Sequence, residues 1–168
     1  DLSGATILST DFPGIASKIT AAAVVAQLDA ADVSLQALNN ITVSSAIDAS
    51  ANTNSHGLTL QTTAAGSSIT LNEGVKTKNG AIAILSGTGG ITQAAGKSVD
   101  AGNATITLNG GGGNVTLQGT LTTTNATASA ITVSNAAALQ IGNMSAALGG
   151  TMTVSHSGAG SQTAGTVI

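Results

Sequence analysis

One short pattern recurs along this 168-residue chain at nearly constant intervals: two apolar residues separated by a single residue, usually Thr or Ser. In the first series, successive copies begin 25, 24, 24, 25 and 21 positions apart. The copies are Val33-Ser34-Leu35, Leu58-Thr59-Leu60, Ile82-Ala83-Ile84, Ile106-Thr107-Leu108, Ile131-Thr132-Val133 and Met152-Thr153-Val154. A constant interval of this size indicates a repeat architecture, in which each repeat is one structural unit.

Two further series have the same period. The second steps by 28, 22, 24 and 24 positions, through Ile41-Thr42-Val43, Ile69-Thr70-Leu71, a weaker Ile91-Thr92-Gln93, Val115-Thr116-Leu117 and Leu139-Gln140-Ile141. The third carries one apolar residue among small ones and steps by 28, 24, 22 and 23 positions, through Ile47, Val75, Val99, Leu121 and Met144. Three series with one period predict three equivalent elements in every repeat.

Alternation of apolar and polar residues is the pattern of a β-strand with one buried face. Gly, Asn, Ala and Ser fill the intervals between the triplets and are typical of turns. Three short strands and three turns per repeat predict an all-β fold, a three-faced parallel β-solenoid with about 24 residues per coil. Equivalent strands would then stack ~4.7–4.9 Å apart along the solenoid axis.

The composition agrees with a narrow aliphatic core. Ala, Thr, Gly, Ser and Asn supply 107 of the 168 residues, and Phe12 is the single aromatic residue. This excludes a conventional layered core, which buries several large side chains. Only 7% of residues are charged and 42% are apolar, which argues against disorder. A chain with four Lys, no Arg and a net charge of −3 is a poor match to a nucleic-acid-binding surface.

The segment 1–31 departs from the repeat. We expect Ala5 to Leu8 to form a strand of an earlier coil, and Thr20 to cap a short helix extending toward Ala31. Ile19, Ala23, Ala26 and Ala30 would form one stripe of that helix. Residues 1–31 are therefore predicted to be a strand plus a helical insert or partial cap, and residues 32–168 to be continuous solenoid coils.

The positions of the few charged residues can be compared with the predicted alignment of strands on neighbouring coils. Glu73 and Lys97 are separated by 24 positions, and so are Lys76 and Asp100. One coil step would place each acid beside a base on the adjacent strand. We interpret them as two structural ion pairs between coils rather than as a catalytic patch.

Residue patterns that carry catalysis or bind metals are poorly represented. His56 and His156 are separated by 100 positions, about four coils, and are interpreted as solvated loop residues. The chain has no Cys, and the early acids lack the spacing of a calcium loop; they are Asp11, Asp29, Asp32 and Asp48. We therefore predict no enzymatic activity, no catalytic residue, no cofactor and no metal site.

Five Asn-x-Ser/Thr tripeptides are candidate glycosylation sites. Asn turns that lead into Thr-rich strands also generate this tripeptide without any modification, so both interpretations stay open. The candidate acceptors are Asn40, Asn103, Asn114, Asn125 and Asn143.

The sequence also bears on the compartment of the protein and on what adjoins the ends of this chain. No run of residues approaches the ~20 apolar residues of a membrane-spanning helix, and no signal peptide is recognisable. The chain is interpreted as a piece of a longer protein. The strand pattern persists to Met152-Thr153-Val154, and Thr166-Val167-Ile168 could begin another strand. We expect either further coils of the same chain or other copies end to end.

Three stretches resemble the repeat body of filamentous-haemagglutinin-like exoproteins. They are ITAAAVVAQLDAADVSLQALNNITVSSAIDAS (19–50), ITLNEGVKTKNGAIAILSGTGGITQAAGKSV (69–99) and ATITLNGGGGNVTLQGTL (104–121). The resemblance implies a right-handed parallel β-helix in a long protein, secreted to the surface of a Gram-negative bacterium through an outer-membrane partner by two-partner secretion. It also implies roles in adhesion, aggregation and biofilm formation, and glycans on some relatives. The amino-terminal secretion domain of the family is not recognisable here.

Three function classes follow. The first is a structural stalk or fibre segment of a large secreted adhesin, whose partners would include a surface glycan or protein. The second is an extracellular filament subunit whose copies join end to end by strand pairing. The third is a carbohydrate-binding module that uses a ladder of outward Thr residues, although Ala83 interrupts the ladder formed by Thr59, Thr107, Thr132 and Thr153.

Overall fold

The chain forms a β-solenoid of three parallel sheets. The computed structural model describes Thr6–Ile7 and residues 17–163. Each complete coil contributes one strand to each sheet, and consecutive strands in a sheet are hydrogen-bonded neighbours from consecutive coils. The predicted fold class is confirmed: an all-β solenoid with one short helix, in which residues paired between neighbouring coils lie about 24 positions apart.

The strands within the described residues are assigned to the three sheets as follows. Sheet 1 contains β1 (Thr6–Ile7), β2 (Val33–Ala37), β5 (Leu58–Thr62), β8 (Ile82–Leu85), β11 (Ile106–Asn109), β14 (Ile131–Ala136) and β17 (Met152–His156). Sheet 2 contains β3 (Ile41–Val43), β6 (Ser68–Leu71), β9 (Gly90–Gln93), β12 (Val115–Leu117), β15 (Leu139–Ile141) and β18 (Gly160–Gln162). Sheet 3 contains β4 (Ile47–Asp48), β7 (Val75–Lys76), β10 (Ser98–Asp100), β13 (Thr120–Thr122) and β16 (Asn143–Ser145).

Strand registers reproduce all three sequence series. In sheet 1, Val33 pairs with Leu58, and the same alignment continues to Met152. In sheet 2 the aligned series runs from Ile41 to Leu139, and in sheet 3 it runs from Ile47 to Met144. The changes in interval from coil to coil therefore arise in the corners between strands, since the strands themselves stay aligned.

Aliphatic ladders from the three sheets fill the interior. Leu60, Ile84, Leu108 and Val133 occupy one inward position on successive coils, and each has 0% exposure. Each of these side chains is enclosed by the coils above and below and by the two other sheets. This arrangement gives complete burial without large aromatic residues.

One inward position is polar. Gln93 replaces the aliphatic residue found at Leu71 and Leu117, and its side chain is fully buried. Its Nε2 donates hydrogen bonds to the carbonyls of Lys97, at 3.1 Å, and Thr120, at 3.2 Å. The corner that follows is wider than its neighbours, because Val99 lies six positions after Gln93 while Val75 lies four after Leu71. Gln93 therefore links this widened corner to the next coil.

Replacing Gln93 with Leu should raise the free energy of unfolding by about 1 kcal/mol. The Gln93 Oε1 atom is buried without a hydrogen-bond partner, and the Lys97 carbonyl keeps a backbone bond from Thr120. The gain from removing the unpaired oxygen and burying Leu should exceed the loss of two donated bonds. Urea unfolding followed by circular dichroism measures the change.

The matched control is the reverse substitution one coil further on. Leu117→Gln should destabilise the protein, because that corner has the ordinary length, with Leu121 four positions after Leu117. A loss of stability in Gln93→Leu would mean instead that the amide is needed to hold the widened corner.

A short helix lies at the amino-terminal end of the solenoid. Helix α1 spans Ala21–Gln27, and the side chain of Thr20 accepts a hydrogen bond from the Ala23 amide, as the capping prediction required. The helix packs against β4, the outermost strand of sheet 3 at this end. Among the described strands, sheet 1 extends one strand further at this end, where β1 pairs with β2 as the expected early strand. Ala5 and Leu8 lie outside the described residues.

The predicted apolar stripe of the helix was only partly correct, because Ile19 packs against the core but Ala26 and Ala30 do not. Val24 and Leu28 are the buried side chains, whereas Ala26 and Ala30 are exposed. The larger side chains bury more apolar surface, so the helix turns them toward the core. The helix is also shorter than expected, because a turn occupies the residues from Leu28 to Ala30.

Candidate functional site

The outward face of sheet 2 carries an unbroken Thr ladder that was not predicted from the sequence. Thr42, Thr70, Thr92 and Thr116 are directly paired on four successive coils. Thr42 and Thr92 are exposed, and the other two are half-buried. These Thr residues belong to the second sequence series, whereas the ladder predicted from the sequence uses the Thr residues of the first series.

Sheet 1 shows the interrupted ladder that the sequence predicts. Ala83 lies between Thr59 and Thr107, paired with both. Thr132 and Thr153 continue the row on the following coils. The interruption removes one hydroxyl from the row, so sheet 2 offers the longer continuous array of hydroxyl groups.

A shallow depression lies at the carboxyl-terminal end of the sheet 2 ladder. It has a volume of about 150 Å³, and Asn114, Thr116, Gln140 and Ser161 contribute polar groups to its lining. Hydroxyl and amide groups of this kind can hydrogen-bond a neutral polar molecule.

Sheet 3 and the corner before it carry several of the charged residues, among them Glu73 and Lys97. Lys97 Nζ lies 2.9 Å from Glu73 Oε2, in the arrangement that their separation of one coil step predicts. Both side chains are about one-third exposed, at 35% and 37%. A pair this accessible to water contributes ~0.2–1 kcal/mol at most, so it adds to coil stacking without defining a reactive site.

The second predicted ion pair needs correction. Lys76 and Asp100 are paired in register, but they form no ion pair within 4.0 Å in the part of the chain that the structure describes. Asp48 pairs with Lys76 from the other side, so the lysine lies between two carboxylates. Each carboxylate instead accepts a bond from the amide two residues onward, Asp48 from Ser50 and Asp100 from Gly102. These local turns hold the carboxylates away from the lysine.

The surroundings of the Asp48 carboxylate favour its ionised form. The Ser50 hydroxyl donates to Asp48 Oδ1 at 2.6 Å and the Ser50 amide donates at 3.1 Å. These two bonds, with a smaller contribution from the Lys76 charge, lower the pKa of Asp48 below its usual value of 3.8. The ionised form is therefore favoured in the folded chain.

Asp48 should make stability depend on pH in the acid range. Because its folded pKa is lowered, its contribution is complete above the unfolded value of 3.8 and is lost as the pH falls through the folded value. The Asp48→Asn variant should therefore lose less stability than the wild type between neutral pH and about pH 3. Urea midpoints measured across this range test the expectation, and parallel curves for the two proteins would contradict it.

The two histidines lie far apart and in different environments. His56 lies in the corner before β5, and its Nδ1 is 3.5 Å from Asp32 Oδ1. Its side chain is only 29% exposed, so it packs against the surface more closely than the predicted solvated loop residue. His156 is exposed and ends β17, where its Nδ1 lies 2.9 Å from the Gly158 carbonyl. The structure does not bring the two side chains together.

The five candidate glycosylation residues differ in exposure and in the hydrogen bonds of their side-chain amides. Asn103 and Asn114 are exposed, and no hydrogen bond involves their side-chain amides within the described residues. Asn40 is exposed and accepts bonds through Oδ1 from Ser68. Asn125 is half-buried, and its Nδ2 donates to the Asn103 carbonyl at 3.0 Å. Asn143 is exposed and lies in β16.

Taken over residues 17–163 and Thr6–Ile7, the structure contains no group of three or more His, Cys, Asp or Glu side chains placed to hold a metal ion. No helix in the same residues has the length and apolar character needed to cross a membrane.

The coil architecture and the outward ladders define a β-solenoid repeat protein. No protein-family model, curated protein or solved structure matches the chain.

Proposed function

We propose that this chain is a structural segment of a large secreted bacterial surface adhesin, acting as a stalk that holds other parts of the protein away from the cell. The observation that carries the proposal is the alignment of the three sheets, in which strands stay in register from coil to coil. Each coil adds ~4.8 Å along the axis. The length of the solenoid therefore increases in proportion to the number of its coils. Backbone ladders and aliphatic stacks would make the stalk stiff.

The resemblance to filamentous-haemagglutinin-like exoproteins supplies the cellular setting of the proposal. It supports secretion through an outer-membrane partner, display on a Gram-negative cell, and roles in adhesion and biofilm formation. In this setting the role of the chain is mechanical rather than catalytic.

A carbohydrate-binding module is the second candidate, and the sheet 2 ladder with its adjoining depression favours it. Sugar hydroxyls would accept hydrogen bonds from Thr92, Thr116 and Gln140 and would also donate hydrogen bonds to them. Sugar sites usually add an aromatic platform, and the single aromatic residue of this chain, Phe12, lies outside the described residues.

Binding assays on the purified chain distinguish the two candidates. The protein would be passed over a glycan array and incubated with epithelial cells, beside a Thr92→Val/Thr116→Val variant that keeps the strand-forming shape of both residues. A stalk should give no saturable binding in either form. Saturable binding by the wild type that the double variant loses would overturn the stalk proposal and support a sugar-binding face.

A further inference from the structure

The charged residues of the β-strands lie on one face of the solenoid. Asp48, Lys76 and Asp100 are the Asp, Glu and Lys residues found in the described strands, and all three belong to sheet 3. The described strands of sheets 1 and 2 contain none of these residue types. The face of sheet 3 is therefore electrically distinct from the other two faces.

The three residues form a row of alternating charge along the solenoid axis. Asp48 pairs in register with Lys76, and Lys76 pairs in register with Asp100. Negative, positive and negative side chains therefore follow one another on successive coils, ~4.8 Å apart.

The charges of this row are not consumed by ion pairs within the chain. The Lys76 ammonium group has neither an ion-pair nor a hydrogen-bond partner in the part of the chain that the structure describes. Asp48 Oδ1 accepts two bonds from Ser50, whereas Asp100 accepts one bond, from the Gly102 amide. Lys76 and Asp100 therefore retain the most capacity to bind a partner.

A second pair of charges lies at the edge of the same face. Glu73 is three positions before Lys76, and Lys97 is three positions before Asp100, so the two coils carry opposite charges in reverse order. Glu73 and Lys97 are held together by their own ion pair, with 2.9 Å between Oε2 and Nζ. We call these four residues the charge cluster.

The remaining outward positions of sheet 3 carry small side chains. Ser98 and Thr120 are paired beside the charged row, and Thr122 and Ser145 continue the charged row on the next two coils. No large side chain stands on this part of the described face. A second flat surface can therefore approach it closely.

We infer that the face of sheet 3 pairs with the same face of a second copy of this chain, lying antiparallel across a twofold axis. The axis would pass between the coils of Lys76 and Asp100, perpendicular to the solenoid. Lys76 of each copy then faces Asp100 of the other, and Glu73 faces Lys97, so every member of the charge cluster meets an opposite charge. The inference concerns the side of the solenoid and stands whether or not the chain serves an adhesin.

The antiparallel arrangement is favoured because it pairs the charges that have no ion-pair partner within the chain. A parallel arrangement would place Lys76 against Glu73, which Lys97 already binds. The strands of sheet 3 contain only two or three residues each, so the paired faces are narrow. Association should therefore be weak, and it should decrease as salt screens the ion pairs.

An exchange of charges within the row gives a matched test. Lys76→Asp and Asp100→Lys each place like charges opposite one another across the axis, so each variant alone should stay monomeric. The two substitutions change the net charge in opposite directions, so total charge cannot explain the same loss in both. The double variant Lys76→Asp/Asp100→Lys restores opposite charges and should associate as the wild type does.

A mixture of the two single variants tests the symmetry of the pairing. One variant presents two acids at the paired positions and the other presents two bases, so the mixture should form a 1:1 complex. Sedimentation velocity over a wide concentration series at low ionic strength measures association, and circular dichroism checks the β-sheet content. We expect the wild type, the double variant and the mixture to have dissociation constants roughly tenfold or more below those of the single variants.

Several results would overturn the inference. They are a wild type that stays monomeric at every concentration, association that persists at about 0.5 M salt, single variants that associate like the wild type, and a folded double variant that stays monomeric. If Asp100→Lys loses its β-sheet signal, Glu73→Lys and Lys97→Glu provide the same exchange at the edge of the face. Each of these should weaken association alone, and together they should restore it; failure of that restoration in a folded protein would equally overturn the inference.

Discussion

Gly90→Ala should destabilise the solenoid by about 3–5 kcal/mol, whereas Gly66→Ala should cost about 1 kcal/mol. The two glycines have nearly the same positive φ, +82° at Gly90 and +78° at Gly66. An Ala residue is strained by this φ at both positions. The difference comes from the space around the added methyl group.

At Gly90 that space is filled by the backbone of the next coil. A Cβ atom there would lie 2.0 Å from the Asn114 carbonyl oxygen and 2.8 Å from the Asn114 nitrogen, whereas a Cβ at Gly66 would meet nothing within 4 Å. Relieving the clash requires β9 to move away from β12, which would strain the Ile91–Val115 pairing beside it.

Urea unfolding of the wild type and the two variants, followed by circular dichroism, measures both effects under one condition. The loss of stability in the Gly66 variant measures the cost of placing Ala at a positive φ. The additional loss in the Gly90 variant measures the cost of the close approach between coils. Equal losses in the two variants would mean that neighbouring coils can separate locally at little cost.

The sequence predicted the strands and their register well because the signal is local and repeated. An inward side chain must alternate with an outward one along each strand, and each coil must place its inward residues on those of the coil before. Leu58, Ile82 and Ile106 satisfy both conditions, so their alignment follows from pattern and interval alone. The unequal intervals within each series do not disturb it, because the corners absorb the difference.

The hydrogen bonds made by the corners could not be predicted from the sequence. Gln93 broke the second series and was interpreted only as a weaker triplet, yet its amide links a widened corner to the next coil. The corner between Ile47 and Leu58 likewise gave no sign that it binds the turn after α1, because its hydrogen bonds to Asp29 join residues 24 and 25 positions apart. Such bonds depend on where a corner of a given length places its backbone, and composition does not encode that position.

Side-chain pairing was predicted only in part for a related reason. The separation of one coil correctly predicted that Glu73 and Lys97 are neighbours, and their charged groups form an ion pair. The same step placed Lys76 beside Asp100, but the local turn to Gly102 holds that carboxylate. A coil interval predicts which residues become neighbours, and competing local hydrogen bonds decide whether their side chains meet.

Deleting one whole coil should leave a folded and shorter solenoid. Removal of residues 82–105 takes out β8, β9 and β10 and joins Ala81 to Ile106, two residues separated by one complete coil in the intact chain. Leu58 and Leu60 would then pair with Ile106 and Leu108, which preserves aliphatic contacts in sheet 1. The rod should shorten by ~4.8 Å, and stability should fall by the contribution of one coil and one interface between coils.

A deletion of half that length is the matched control. Removing residues 94–105 joins Gln93 of sheet 2 directly to Ile106 of sheet 1, so one coil loses its strand in sheet 3. The ladder from Val75 through Val99 to Leu121 would be broken, and the coils on either side would lose their alignment. We expect this smaller deletion to abolish cooperative unfolding and most of the β-sheet circular dichroism.

Small-angle scattering and thermal unfolding of both deletions, beside the intact chain, provide the measurement. If the 24-residue deletion leaves a more stable protein than the 12-residue deletion does, the coil is the unit of both folding and length. The opposite order would mean that stability depends on particular strands instead of on the repeat, and it would remove the physical basis for a stalk whose reach is set by the number of its coils.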